Sequence, residues 1–65
     1  MMENFSLVGV DGNAFSIMGY VEQAMRKTGY SKEEREAYRK EAMSGDYNHL
    51  VCLSLDQIDE CNERL

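Results

Sequence analysis

The stretch Asn13–Tyr30, NAFSIMGYVEQAMRKTGY, decides the fold, because its start, its apolar face and its end are all written in residue types. Ala14, Ile17, Met18, Val21, Met25 and Thr28 recur at the i, i+3, i+4, i+7 spacing that puts side chains on one face of an α-helix. Asn13 is a natural cap, since its side-chain oxygen can accept a first-turn N–H that has no helical partner. Arg26 and Lys27 fall in the last turn, where positive charge meets the negative end of the helix dipole. Gly29 supplies a left-handed residue to end the helix, with Tyr30 folding back onto Met25. Gly19 alone interrupts the pattern, at roughly 1 kcal/mol relative to Ala. It either admits a close neighbour or is simply tolerated. The pattern predicts a helix over residues 14–28.

Outward toward the C-terminus, Ser31-Lys32-Glu33-Glu34 has the form of a capping box, in which Ser31 and Glu34 satisfy each other's backbone N–H. The helix it starts is predicted over 32–44, with Gly45 as its stop and a favourable Glu36–Lys40 pair on its surface. Its apolar stripe is thin: Tyr38 and Ala42, with Ala37 and Met43 at the margins. Asp46 then caps a third helix, predicted over 47–63, in which Tyr47, Leu50, Val51, Ser54, Leu55, Ile58, Asn62 and Leu65 share a face. A competing pattern exists at residues 50–55. Val51, Leu53 and Leu55 alternate with Cys52 and Ser54, as in a strand pairing with Phe5–Val10. The helical spacing runs further and is preferred.

Outward toward the N-terminus, FSLVGV (Phe5–Val10) is a β-prone run closed by the turn pair Asp11-Gly12. Alone it makes a short strand or an extended arm. It lacks the glycine spacing and the Gly-Lys-Ser/Thr ending of phosphate-binding loops. The expected fold is therefore mainly α: a small three-helix domain with a short N-terminal strand or extended arm. Its expected core is Phe15, Met18, Val21, Met25, Tyr38, Leu50, Leu55 and Ile58.

At 65 residues the chain is expected to be a single small domain. Such a chain buries only about 60% of its unfolded surface, so its core is marginal. Two cysteines make no disulfide scaffold, and nine residues on one helix would separate them by about 13 Å of rise. No run approaches the roughly 20 apolar residues that span a bilayer, and no leader is visible. A cytoplasmic protein with free thiols is expected, with Cys52 as a small buried apolar group and Cys61 exposed. One histidine and two cysteines at this spacing match no zinc pattern, and no cofactor is expected.

The net charge of −5 is unevenly spread. Residues 26–40 hold six cations against three carboxylates, a net of +3; the rest holds one cation against nine carboxylates, a net of −8. Solvated helix faces account for this most simply. The alternative is a helix-turn-helix nucleic-acid binder, with Lys32, Arg35 and Arg39 on phosphates. Glu33 and Glu34 oppose it, because they stand where base-reading residues would enter the groove.

DGNAF (Asp11–Phe15), TGYSKEE (Thr28–Glu34) and EAMSGDYNHL (Glu41–Leu50) resemble segments of a group of short uncharacterised proteins of bacterial genomes and mobile elements. The resemblance runs from Asp11 to about Leu50, and the tail from Val51 lies outside it. It implies a small bacterial or phage-type protein, and no activity, cofactor, partner or functional residue.

Asp46, His49 and Cys52 hold the ingredients of an activated thiol, a nucleophile with its base and an orienting acid. Steps of 100° splay them around a helix instead of converging them, so no enzyme is expected. Asp56, Asp59, Glu60 and Glu63 make a negative strip suited to a basic protein surface. The expected function is a small non-enzymatic protein-binding or regulatory module, with these four residues as the candidate partner contacts.

Overall fold

Asn13 caps the first helix through its side chain, which accepts the Phe15 N–H at 2.8 Å. In the computed structural model, which describes residues 4–65, this cap opens α1, Ala14–Lys27. Gly29 has φ +90°, and the Tyr30 N–H donates to the Met25 carbonyl at 3.0 Å while the Gly29 N–H reaches Arg26 at 3.3 Å. These two bonds satisfy carbonyls that the end of a helix leaves open. The capping box is complete: the Glu34 N–H donates to Ser31 Oγ at 3.1 Å and the Ser31 N–H to Glu34 Oε1 at 2.9 Å. It opens α2, Lys32–Ala42. Asp46 accepts the His49 N–H at 2.9 Å and opens α3, Tyr47–Glu63.

Short loops join the three helices, so neighbours run in opposite directions. The starts of α1 and α3 therefore meet the end of α2 at one end of the bundle. At the other end Arg64 reaches the Thr28 carbonyl at 3.3 Å and lies 3.6 Å over the Tyr30 ring, tying the last turn of α3 to the α1–α2 loop. The core is Ile17, Met18, Val21, Ala24 and Met25 of α1, Tyr38 and Ala42 of α2, and Leu50, Ile58 and Cys61 of α3, with Ser54 buried among them.

Two expected core residues lie outside. Phe15 is 66% exposed and Leu55 48% exposed. Phe15 stands one residue off the Ala14–Met18–Val21–Met25 stripe, a rotation of about 100°. On α3 the buried line is Leu50, Ser54, Ile58, Cys61, which turns Leu55 to one edge and Cys52 outward. The expected exposures of the two thiols are therefore reversed: Cys52 is exposed and Cys61 buried. α1 and α2 also end at Lys27 and Ala42, one and two residues before the expected limits, with Thr28 and Met43 as their caps.

Among the described residues there is no strand, and residues 50–55 are all helical, which removes the pairing partner for Phe5–Val10. That segment is an arm. The Asn62 side chain holds it by accepting the Phe5 N–H at 2.7 Å and donating to the Phe5 carbonyl at 3.0 Å. Tyr20 accepts the Ser6 N–H at 2.9 Å and packs edge-on against the Phe5 ring, centroids 6.4 Å apart. Gly9, at φ +85°, then turns the arm where the Val10 N–H meets the Leu7 carbonyl at 3.1 Å. Among the described residues, no helix is long and apolar enough to cross a membrane.

Candidate functional site

Where the three helix ends meet, the bundle leaves an open apolar groove of about 250 Å³. Its floor is the core itself, Met18, Ala42 and Leu50, and its rim is Phe15, Met43 and Tyr47. The rim residues are 66%, 59% and 51% exposed. Each lies outside the core for a local reason. Phe15 is off the α1 stripe, Met43 caps α2 beyond its last turn, and Tyr47 is the first residue of α3. Tyr47 is held in place by a short hydrogen bond from its hydroxyl to the Gly12 carbonyl.

Beside the groove the α2–α3 loop is tied down by polar contacts. His49 Nε2 lies 3.0 Å from Glu41 Oε2 and 3.1 Å from the Glu41 carbonyl, so it faces two acceptors and carries its proton there. Ser44 donates to the same Glu41 carboxylate at 2.8 Å. The Ser44 hydroxyl, and then His49, hold the Glu41 carboxyl below its ordinary value. Gly45 is required in this arrangement, because a Cβ there would stand 2.8 Å from the His49 ring.

The same contacts take apart the possible thiol relay. The Asp46 carboxylate accepts the His49 backbone N–H, the His49 ring turns to Glu41, and Cys52 is exposed. No acid–base–nucleophile line joins the three. Among the described residues, no three His, Cys, Asp or Glu side chains are gathered closely enough to hold a metal ion.

Asp56, Asp59, Glu60 and Glu63 are all exposed on α3. Their i, i+3, i+4, i+7 spacing puts them on one strip, turned away from Ser54, Ile58 and Cys61. None of the four forms an ion pair with another described residue. Lys32, Arg35 and Arg39 do come together, along a shallow depression between α1 and α2. Glu22 and Glu36 share that depression, and Glu22 Oε2 lies 3.6 Å from Arg39 Nε.

Reading the sequence missed Glu22, whose place among the cations depends on α1 packing beside α2. It also missed the groove. A signal for it was present: three large apolar residues, Phe15, Met43 and Tyr47, each stand at a helix end. Comparison of the chain with protein-family models, with curated proteins and with solved structures finds no match.

Proposed function

We propose that the protein is a small non-enzymatic binding module that works by holding a protein partner on the groove at the joined helix ends. The observation that carries this reading is the cluster of Phe15, Met43 and Tyr47, each more than half exposed, around a floor of Met18, Ala42 and Leu50. Contiguous apolar surface rimmed by polar groups is typical of interaction sites, and aromatic and methionine side chains are enriched in them. The groove is open to solvent and its lining is mainly apolar, which suits the anchoring side chain of a protein partner. The acidic strip Asp56, Asp59, Glu60 and Glu63 is a second surface for such a partner. A cytoplasmic setting, in a bacterium or on a mobile element, fits both the free thiols and the resemblance of the Asp11–Leu50 segments.

The second reading is a nucleic-acid binder. It is favoured by the gathering of Lys32, Arg35 and Arg39 along one depression, and opposed by Glu22 and Glu36 within it.

One experiment separates the two. The intact chain and a Phe15→Ser, Met43→Ser variant serve as baits in the native cell, with a parallel titration on random duplex DNA at low salt. A stoichiometric protein that the variant fails to retain supports the module. Equal capture by both baits overturns the groove as its site. Saturable, salt-sensitive DNA binding that Arg35→Glu with Arg39→Glu abolishes replaces the module reading with the second.

A further inference from the structure

Resting on that reading, we infer that the occupant of the groove is a basic amphipathic segment, with an apolar side chain on the floor and lysine or arginine flanks against the rim. The argument is charge complementarity around an apolar centre. Segments 11–18 and 41–50 build the groove and its surround. They contain Asp11, Glu41 and Asp46, with no lysine and no arginine. Their histidine, His49, is engaged by Glu41. Lys40 adjoins Glu41 in sequence, but it stands roughly 200° around the helix from Ala42, the α2 residue on the floor.

Of the three carboxylates only Asp46 lines the groove itself; Asp11 and Glu41 stand on the segments that flank it. Asp11 and Asp46 accept one backbone N–H each, from Asn13 and His49, through one oxygen apiece. Glu41 is held ionised by Ser44 and His49. Helix dipoles do not reverse this field. The starts of α1 and α3 each bring about half a positive charge, and the end of α2 brings about half a negative one. Three carboxylates outweigh the difference. The chain as a whole, at −5, steers a basic partner toward itself and repels a second copy. The rim side chains suit the same occupant: the faces of Phe15 and Tyr47 accept a guanidinium, and Met43 adapts to the shape of the anchor.

The test uses the full chain, ¹⁵N-labelled, and two synthetic helical peptides with identical leucine patterns. One peptide carries lysine and the other glutamate at the flanking positions. The lysine peptide is expected to shift the amides of Phe15, Met43, Tyr47 and Leu50, and the glutamate peptide to leave them unmoved. Phe15→Ser is expected to weaken the lysine peptide roughly tenfold or more, as removal of a central aromatic contact does. Asp11→Asn with Glu41→Gln keeps the local hydrogen-bond acceptors and is expected to weaken it about threefold at low salt, with less effect at high salt.

Equal binding of both peptides overturns the inference, as do shifts confined to Asp56–Glu63. Groove shifts that follow the protein's own concentration, with a dimer in sedimentation, overturn it in favour of self-association. Failure of both peptides overturns it too, and leaves the module itself to the bait experiment, where loss of a captured protein on changing Phe15 and Met43 does not depend on the partner's charge.

Discussion

The Tyr38 hydroxyl lies 2.6 Å from the Ser54 hydroxyl, and both residues are buried. This polar contact within an apolar core fixes how α2 and α3 sit against each other. α2 has few apolar residues with which to define its own position; only Tyr38 and Ala42 are buried on it. A directional bond supplies the specificity that a thin stripe lacks.

Tyr38→Phe and Ser54→Ala are each expected to lower stability by about 1–2 kcal/mol, because each strands or removes one end of a buried hydrogen bond. The double variant should cost less than the sum. A cycle of urea melts measures the coupling, and strict additivity would show that the two hydroxyls do not act as a pair.

Burial raises the Tyr38 pKa, against the opposing hydrogen bond to Ser54 and with a small push from Glu22. The unfolded chain therefore ionises first, near the ordinary value of 10.0, and stability is complete below that pH and lost as pH rises through the folded value. Alkaline melts of Tyr38→Phe should show a shallower decline, with the remainder due in part to Tyr30, whose pKa burial also raises. At the acid end Glu34 titrates below its ordinary 4.5, because the Ser31 backbone N–H and then its hydroxyl bond the carboxylate. That contribution is present above pH 4.5 and disappears as pH falls through the lowered value. Glu34→Gln keeps an acceptor for Ser31 and should flatten this limb of the profile.

The two thiols should be distinguishable by a chromogenic disulfide reagent. Cys52 is exposed and reacts at once in native buffer; Cys61, at 0% exposure, reacts only when denaturant opens the bundle. Prompt reaction of both would mean that the far end of α3 is not packed as described.

Gly19 is exposed, its φ is not in the left-handed region, and a Cβ there would meet nothing within 4 Å. Gly19→Ala is expected to stabilise α1 by up to about 1 kcal/mol, a gain of roughly 4–8 °C in Tm for a domain of this size. An unchanged or lower Tm on thermal denaturation would point to a close neighbour in solution.

The caps were the most legible part of the chain, because Asn13, Ser31 with Glu34, and Asp46 act on their own backbone within three residues. The bounds of α3 were legible for the same reason. Which face of α3 is buried was not. Tyr47, Leu50, Val51, Leu53, Leu55 and Ile58 spread over more than half its circumference, so the buried line depends on where α1 and α2 land. Leu55 and the two cysteines were misplaced by that rotation. The groove was hidden by the same kind of dependence, since it exists only because three helix ends meet. The acidic strip was legible in full, its spacing being a property of one helix.

The clasp between Asn62 and Phe5 joins residues 57 apart in the chain and has consequences for the order of assembly. Closing so long a loop becomes favourable only after α1 and α3 have docked, because until then Tyr20 and Asn62 are not placed side by side. The helices can condense through nearer contacts, and the arm closes over them afterwards. A contact made that late acts on the rate of unfolding and leaves the rate of folding nearly untouched. The arm is thus a latch on a finished bundle. It can open by itself, baring Tyr20 and Asn62 to solvent while Val21 and Cys61 stay enclosed.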